Sequence, residues 1–520
     1  MGQNKKLVTN LVFVWLGFAT QVLTTFLLTP MMISKLGNDG YGLWIFLQSF
    51  TGYYGLIDMG LRAGVTQTIT QRLAKGERES LLRYFNGVLP LLGRISIAVL
   101  FVGVAVGFLL SRTLTVSEEL KGWVIPLAIC QSAGIAFTML TFPFSAVLPG
   151  LQRYDISETI AFVLRIATSA CAFLVLLYAP SIIAISLLYL AFNILDQILR
   201  LVFVLKLVPE LKHIRPALNR TEVKELFRVG GLNFVMQISH QLLHRFNAIQ
   251  IAYMFSLAIV VPFNVANSMA DHAVRVVSIS TRVLYPAFAH MNFQDQVTAT
   301  RNLLLLSTRL CVGFSLVVAF VGMSWMQPFL EIWLKNVNGK QEIISAACSY
   351  YLVFALINVA TSIRGVGGQL LLGKDELRFM AKTMVVESVI AIVLSFAFSV
   401  YFGPIGIPLG NLVAFTLSII LISLPRVAKL VDLNLSDFYL KAFLRPIVYA
   451  SLCSASVWVW RRSVTEPNTW QKLFTIGFIP TAIVCILFLP VLFSRTERES
   501  VCVKLQELIR SFSLKFAKRL

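Results

Sequence analysis

The sequence predicts an all-α, polytopic integral membrane protein with about fourteen transmembrane helices, and three observations support this fold class. Of the 520 residues, 57% are hydrophobic and only 13% are charged, whereas soluble domains carry about 25% charged residues. The mean hydropathy is +0.77. Apolar runs of about 20 residues, the length that a membrane helix needs, recur along the whole chain. This composition excludes a soluble enzyme, a disordered protein and a disulfide scaffold.

The apolar runs define the predicted spans in chain order. The longest stretch between two of them, 206–228, has 23 residues and leaves no room for a soluble catalytic domain. We therefore expect no enzyme activity, and a function within the membrane or at its surface. The predicted spans are approximately 7–33, 41–69, 87–111, 122–147, 159–179, 181–203, 229–256, 257–285, 303–329, 343–372, 383–402, 404–425, 446–460 and 473–494.

The positive charge of the chain follows this topology. Lys and Arg number 45 against 25 Asp and Glu, which gives a net charge of +20. If the N-terminus is inside, the inner segments carry 28 Lys and Arg and the outer segments only 8. Because cytoplasmic loops are enriched in Lys and Arg, we expect both termini in the cytoplasm. The excess charge then indicates membrane topology and no nucleic-acid partner.

Two halves of six spans each organise the chain. Residues 1–205 form the predicted N-terminal lobe, 206–228 a cytoplasmic basic linker, and 229–425 the C-terminal lobe. A D-x-x-x-R motif at corresponding positions of the two halves favours an internal repeat, as many transporters have. Residues 426–494 add two helices. The tail 495–520 is predicted to be a basic amphipathic helix on the anionic cytoplasmic leaflet, or else solvated.

Charged residues inside the predicted spans are the candidate binding groups, because an ionisable group in hydrocarbon usually faces a bundle interior or a wet cavity. Nine arginines oppose four acids, so a cavity that they line would attract anions. Arg200 and Arg282 lie close to the inner boundary, where a long side chain reaches the headgroups, and this alternative also stays open for four others, Arg94, Arg165, Arg309 and Arg364. Arg245, near the middle of the seventh span, is the strongest candidate. The predicted diphosphate-binding arginines are Arg245, Arg275, Arg62, Arg94, Arg165, Arg309 and Arg364.

Three acids are candidate charge partners. Asp58 precedes Arg62 by one helical turn, and Asp271 precedes Arg275 in the same way. Each pair either neutralises itself, which makes the helix cheaper to insert, or holds the guanidinium until an anionic group competes for it. Glu387 is the third acid. Coupling to H⁺ or Na⁺ through these acids stays open.

A polar stripe marks the seventh span. Several of its polar residues recur at helical spacing on one face, and a polar stripe in lipid must face protein or water. We expect it to line a cavity and hydrogen-bond sugar hydroxyls, with packing between helices as the alternative. The two histidines lack the Glu of HExxH, and the seven cysteines form no CxxC, so neither a metal site nor a cofactor is predicted. The polar residues are Asn233, Gln237, His240, Gln241, His244 and Asn247.

Two short motifs carry a resemblance to a known family. The segments LGNDGYGLW at 36–44 and LIDMGL at 56–61 resemble the polysaccharide transporter family, the Wzx-type O-antigen and exopolysaccharide flippases. That family belongs to the multidrug/oligosaccharidyl-lipid/polysaccharide (MOP) exporter superfamily. The resemblance covers roughly 7–494. It implies two MATE-like six-helix lobes plus two C-terminal helices.

The resemblance also implies an activity. The expected function is to move an undecaprenyl-diphosphate-linked oligosaccharide, a repeat unit of O-antigen, capsule or exopolysaccharide, to the outer leaflet by alternating access through a cationic central cavity. A bacterial inner-membrane location and partnership with a polysaccharide polymerase and a chain-length regulator are implied as well. A cation-coupled multidrug exporter, a lipid II flippase and a non-transporting membrane scaffold for a glycan-synthesis complex are the alternatives. The surplus of arginines differs from the acidic site of the exporters, and the first span lacks the basic residues typical of lipid II flippases.

Overall fold

The computed structural model describes residues 2–114, 117–282, 284–294, 296–493 and 497–498, and within these ranges the chain is helical almost throughout, with no β-strand. Side chains are not described for 2–16, 50–63, 227–230 and a few single positions. The all-α prediction is confirmed.

A single kinked helix, α1 (Gly2–Ala74), covers the first two predicted spans. The sequence favours a polar loop between these spans, yet the one residue with non-helical dihedral angles there is Gly37, at φ 73° and ψ 172°. Glycine adopts a positive φ without the steric cost that a Cβ imposes. The chain therefore changes direction at one residue and stays helical on both sides of it.

Five further helices follow in the first part of the chain: α2 (Arg78–Thr113), α3 (Glu118–Gly150), α4 (Tyr154–Tyr178), α5 (Ile182–Leu207) and α6 (Arg220–Met254). A short 3₁₀ helix, Pro209–His213, lies between α5 and α6. The side chain of Asn219 caps α6 by accepting a hydrogen bond from the backbone N–H of Thr221 at 2.9 Å, which satisfies one of the open donors of the first turn.

An ion pair connects the linker between α5 and α6 to the start of α2. Arg78 Nη1 lies 2.5 Å from Glu210 Oε1. This hydrogen bond lowers the pKa of Glu210 below its usual range. The carboxylate therefore stays ionised, and the contact stays formed, as the pH falls towards the normal range of a glutamic acid.

The second part of the chain contains α7 (Leu257–Arg282), α8 (Leu284–Phe293), α9 (Val297–Trp333), α10 (Lys340–Gly373), α11 (Leu377–Phe402), α12 (Gly406–Ser418), α13 (Leu424–Leu430), α14 (Leu435–Ser463), α15 (Trp470–Lys472) and α16 (Ile479–Phe488). Two π-helical segments connect successive helices: Ile419–Ser423 joins α12 to α13, and Leu473–Phe478 joins α15 to α16. Each predicted span overlaps one or more of these helices.

Nine helical segments among the described residues are long and apolar enough to cross a membrane. One of them, Leu377–Leu430, contains two predicted spans. The polar helix α6 is not among the nine. The count of fourteen crossings therefore remains a prediction. The nine segments are Arg78–Thr113, Glu118–Gly150, Tyr154–Tyr178, Ile182–Leu207, Val297–Trp333, Lys340–Gly373, Leu377–Leu430, Leu435–Ser463 and Trp470–Leu492.

Contacts divide the chain into two compact units. Unit 1 consists of Met1–Asn264, Asn336–Lys340 and Met384–Gly410. Within it, α1 packs along α6, α3 and α4, and α3 also packs on α2 and α5. Fully buried side chains such as Leu81, Tyr84 and Phe142 belong to an apolar cluster within this unit.

Unit 2 consists of Val265–Lys335, Gln341–Thr383 and Asn411–Leu520. Its main contact is between α9 and α14. Trp325 of α9 and Cys453 and Val457 of α14 are buried in the apolar cluster between these helices. The division of the chain into the predicted domains stays a prediction.

One close helix approach in unit 1 requires glycine. A Cβ placed on Gly410 of α12 would lie 2.5 Å from the carbonyl carbon of Leu394 and the nitrogen of Ser395 in α11. No real Cβ approaches backbone so closely. Small residues commonly permit such contacts between membrane helices, and this one joins α11 and α12 backbone to backbone.

Candidate functional site

A polar cavity of about 560 Å³ lies in unit 1, among α1, α3, α4 and α5. Polar side chains on membrane helices must face protein or water, and a cavity with convergent polar groups is a candidate binding site. The polar and charged residues of its lining are Thr24, Gln131, Thr138, Arg165, Thr168, Ser169, Ser186, Asn193, Asp196 and Arg200.

Arg165 enters the cavity from α4, and its side chain is half-buried. Its Nη1 donates a 2.6 Å hydrogen bond to the backbone carbonyl of Gly17 in α1. A guanidinium has five N–H donors in a fixed fork, and among the described contacts this is the one that an N–H of Arg165 makes. The α1 carbonyl therefore positions a cation that keeps capacity to bind an anion.

A second cation, Arg200, reaches the cavity from α5. Its Nε lies 2.8 Å from Asp196 Oδ2, one helical turn earlier, and the two side chains are 14% and 23% exposed. Its Nη1 donates to Ser157 Oγ of α4 at 2.6 Å. The carboxylate also accepts from Gln197 Nε2 at 3.2 Å. The guanidinium is thus held in one orientation by groups from two helices.

Hydroxyl and amide groups complete the lining. Thr138 donates to Asn193 Oδ1 at 3.1 Å, which links α3 to α5. Thr24 and Ser169 share a hydrogen bond of 3.0 Å between α1 and α4. Such groups both donate and accept, so they can exchange these contacts for the hydroxyls of a ligand.

The charge of the lining is positive. Two arginines oppose one aspartate among the residues around the cavity. The planar guanidinium fork matches the oxygens of phosphate and carboxylate groups. The cavity can therefore bind an anionic group next to a polar, uncharged portion of the same ligand.

The sequence predicted only one of these charged residues as a binding group. Arg165 was a candidate, whereas Arg200 was placed near the inner boundary and expected to reach the headgroups. The signal that identifies Arg200 is its D-x-x-x-R spacing from Asp196. The same motif occurs in the second and eighth predicted spans.

The predicted polar stripe of α6 divides between exposed and buried positions in unit 1. Arg245 and His240 are exposed, Gln237 is half-buried, and Gln241 and Asn247 are buried. Asn247 Nδ2 donates to its own helix, at Leu243 O, over 3.4 Å. The side chains of Asn233 and His244 lie outside the described residues.

The neighbouring Gln250 shows what the buried side of α6 contacts. Its Oε1 accepts a 2.9 Å hydrogen bond from Ser395 of α11. Buried polar residues of α6 thus include one that links helices within unit 1, which agrees with the packing alternative for part of this face. Arg245 and His240 lie on the exposed side of the same helix.

The other predicted arginines lie in different surroundings. Arg94 is exposed on α2, and Arg275 is exposed on α7. Arg364 lies over the ring of Phe415, 4.7 Å from its centroid. Arg309 is buried and pairs with Glu497 at 2.7 Å in unit 2. None of these four residues belongs to the lining of the unit 1 cavity.

Two of the predicted acids, Asp271 and Glu387, are not among the residues that line the cavity. Asp271 is half-buried on α7, and Glu387 of α11 is completely buried. The side chains of Asp58 and Arg62 lie outside the described residues.

Comparison of the sequence with known proteins gives two matches. Residues 14–171 match the family model MatE. A membrane protein of Bacillus subtilis (strain 168), EpsK, itself uncharacterized, is 26% identical over 223 residues. This alignment covers 43% of the present chain and 44% of that protein, so it spans less than half of the relative's length.

Solved structures match over most of the chain. The lipid II flippase MurJ, in an inward closed conformation, superposes with a TM-score of 0.70 at 12% identity, covering 92% of this chain and 98% of that one. An inward-facing multidrug resistance MATE transporter of the MOP superfamily gives 0.64 at 17% identity, covering 79% and 96%.

A third structure extends the comparison. A MOP superfamily transporter from Pyrococcus furiosus Vc1 (DSM3638), described by the reversed polarity of its binding pocket, gives a TM-score of 0.59 at 15% identity, covering 83% of this chain and 97% of that one. The chain therefore has the helical fold that MATE transporters of the MOP superfamily share with the lipid II flippase MurJ.

Proposed function

We propose that this chain is a flippase that moves an undecaprenyl-diphosphate-linked oligosaccharide from the cytoplasmic to the periplasmic leaflet by alternating access. The oligosaccharide would be a repeat unit of O-antigen, capsule or exopolysaccharide. The observation that carries the proposal is the cavity of unit 1, where two arginines and a set of hydroxyl and amide side chains gather inside an apolar helical unit.

The chemistry of this lining suits the two polar parts of such a ligand. Arg165 and Arg200 provide planar cationic groups for the oxygens of a diphosphate. Thr138 and Asn193 offer neutral donors and acceptors for sugar hydroxyls. Each charge-assisted hydrogen bond contributes about 1.5–3 kcal/mol, and an anionic group also gains the Coulomb attraction of the guanidinium, which a cationic substrate would not gain. The lipid tail needs no site, because it can remain in the bilayer.

The fold supports the same function. MurJ, whose structure covers 92% of this chain, is a flippase of lipid II. A shared fold raises the expectation of a shared type of transport, but the substrate is decided by the site. For this reason a lipid II flippase is the first alternative, and substrate competition separates the two.

A cation-coupled multidrug exporter is the second alternative. It is favoured by the MatE match over residues 14–171 and by Asp196 in the cavity. This function requires an acid that is available to a cationic drug or a coupling ion, whereas Asp196 is engaged by Arg200 at 2.8 Å. An exporter would confer drug resistance when overexpressed and would depend on Asp196.

Reconstitution tests the proposal directly. Proteoliposomes containing the purified protein and a fluorescent polyprenyl-diphosphate oligosaccharide should expose the fluorophore to an external quencher faster than empty liposomes do. Arg165→Ala should reduce this rate at least tenfold, because the cavity loses half of its cationic groups and the contact with α1. Arg165→Lys should be intermediate, since lysine keeps the charge but not the planar fork.

The control is Arg112→Ala, an exposed arginine in the last turn of α2. This variant should transport the oligosaccharide at the wild-type rate. Proteoliposomes with the wild-type protein should also keep their transport rate when an unlabelled cationic drug is added as a competitor. Full transport by Arg165→Ala, or equal losses in the two variants, would contradict the assignment of the cavity. Competition by the drug would favour the exporter.

A further inference from the structure

A second charged cavity, of about 760 Å³, lies in unit 2. It is formed by the first turns of α9, the first turns of α14 and Glu497. The cytoplasmic side of the membrane is the predicted location of this end of both helices. Four cations and two acids line it: Arg301, Arg309, Lys441, Arg445, Asp437 and Glu497.

Arg309 is the buried cation of this cavity, with 8% of its side chain exposed. Both terminal nitrogens donate to the same carboxylate: Nη1 to Glu497 Oε2 at 2.9 Å and Nη2 to Glu497 Oε1 at 2.7 Å. The parallel two-bond geometry is the one with which guanidinium binds carboxylate or phosphate. A glutamate from the end of the described chain thus occupies an anion position.

A second guanidinium points to the same anion but does not bond to it. The side chain of Arg445 is 41% exposed, but its Nη1 is buried and finds no hydrogen-bond acceptor among the described residues. It lies 4.0 Å from Glu497 Oε2, beyond hydrogen-bond distance. Leaving a buried donor unsatisfied is costly, so this nitrogen marks an incomplete site.

The number of oxygens identifies the class of ligand that would complete the site. A carboxylate has two oxygens, and Arg309 engages both of them. A phosphate group has a third oxygen that projects out of the plane of the first two and can accept from Arg445. Lys441, one helical turn before Arg445 on α14 and paired with Asp437 at 2.9 Å, adds a further cation beside it.

We infer that this cavity binds a phosphate monoester, with Arg309 and Arg445 as the binding groups and Glu497 as an internal competitor that the phosphate displaces. The ligand is either the headgroup of an anionic phospholipid in the cytoplasmic leaflet or a soluble phosphate. The site shares no residue with the cavity of unit 1 and does not depend on the proposed transport function.

Binding to the full-length protein in maltoside detergent tests this inference with three probes: dioctanoyl phosphatidic acid, dioctanoyl phosphatidylcholine and inorganic phosphate. Phosphatidic acid or inorganic phosphate should bind, and phosphatidylcholine should not compete. Binding of phosphatidic acid alone identifies a lipid headgroup as the source, and binding of inorganic phosphate identifies a soluble one.

Variants then locate the site. Arg445→Gln should weaken binding about tenfold, the effect of losing one charge-assisted hydrogen bond. Glu497→Gln should strengthen it several-fold, because the competing charge is removed while an oxygen remains for Arg309. Arg462→Gln is the matched control, since Arg462 lies on the same helix at its other end, over the ring of Trp458, and should bind like the wild type.

Thermal unfolding midpoints establish that each variant is folded, and Arg445→Gln tests the site even if Glu497→Gln is unstable. The inference is overturned if neither phosphatidic acid nor inorganic phosphate binds, if Arg445→Gln binds as well as Arg462→Gln, or if a folded Glu497→Gln binds no more tightly than the wild type.

Discussion

Asp196 and Arg200 combine two roles at the residue scale. Their i,i+4 spacing allows the acid to neutralise the guanidinium on one helix face, which lowers the cost of placing both in an apolar helix. The same contact orients Arg200 in the cavity lining, where Ser157 holds a second nitrogen at 2.6 Å. The ion pair of Asp196 and Arg200 therefore stabilises the helix, and it also keeps a guanidinium in the cavity lining where an anionic ligand can bind.

This dual role predicts the effect of Asp196→Asn. The amide oxygen can still accept from Arg200, so the fold should be kept, but the competing negative charge is gone. We expect the apparent affinity for a diphosphate-linked substrate to increase about threefold to tenfold, the equivalent of roughly 1 kcal/mol for a partly exposed pair. Concentration-dependent transport rates in proteoliposomes measure this change.

The matched control is Asp155→Asn. Asp155 also pairs with an arginine, Arg153 at 3.0 Å, but both side chains are about half exposed at the start of α4 and outside the cavity. Its substrate affinity should not change. If Asp196→Asn lowers the unfolding midpoint and leaves affinity unchanged, the pair is structural only.

The sequence allows the burial of a residue to be predicted from its position in an apolar helix. It does not allow the tertiary contacts of that residue to be predicted. The sequence places Arg165 within a predicted span, where it either lines a cavity or reaches the headgroups, and its half-buried side chain is among the residues around the unit 1 cavity. The partner of Arg309, in contrast, lies 188 positions later in the chain. No periodicity or spacing relates residues so far apart, so this pairing required the structure.

Two glycines determine local geometry at the scale of elements. Gly37 bends α1 at one residue, and Gly410 permits backbone contact between α11 and α12. The existence of these helices follows from hydropathy, because apolar segments in a bilayer must satisfy their backbone hydrogen bonds internally. The ends and kinks of the helices are harder to predict. The sequence favours a loop between the first two spans, whereas in the structure the chain bends at the single residue Gly37.

The close contact of α11 with α12 predicts a loss of stability in Gly410→Ala. The added methyl group would lie 2.5 Å from backbone atoms of Leu394 and Ser395, so the helices must separate. We expect a cost of about 1–3 kcal/mol, as for overpacked cores, visible as a lower thermal unfolding midpoint in detergent.

Gly122→Ala in α3 is the control, because nothing lies within 4 Å of a Cβ at that position. Replacing glycine by alanine inside a helix is otherwise favourable by about 0.5–1 kcal/mol. The control should therefore match or exceed the wild-type midpoint. Equal midpoints for the wild type and Gly410→Ala would show that the two helices separate without cost.

At the scale of the whole molecule, the distribution of charge predicts the orientation in the membrane. With the N-terminus inside, the inner segments would carry 28 Lys and Arg and the outer segments 8, an asymmetry from which the positive-inside rule predicts cytoplasmic termini. On this prediction, most of the net charge of +20 concerns topology, and a small intramembrane surplus is left for the proposed binding site.

Reporter fusions test this orientation. Alkaline phosphatase, which is active only outside the cytoplasm, should be active when fused after residue 116 or 180 and inactive after residue 216. Green fluorescent protein should show the opposite pattern. Phosphatase activity after residue 216 would reverse the orientation and move the charged cavity of unit 2 to the outer face.

The ion pair between Arg309 and Glu497 predicts how C-terminal truncation changes the stability of the protein. Removing one partner of a buried ion pair typically costs 3–5 kcal/mol, because the other charge is left uncompensated. A protein that ends before residue 497 would retain every helix between α1 and α16 and still lose stability, because the guanidinium of Arg309 in α9 would lose its carboxylate partner. Deletion mapping would then show that the C-terminal segment is needed for stability because it supplies the negative charge next to Arg309. Restoring a single carboxylate at position 497 should recover much of the lost stability.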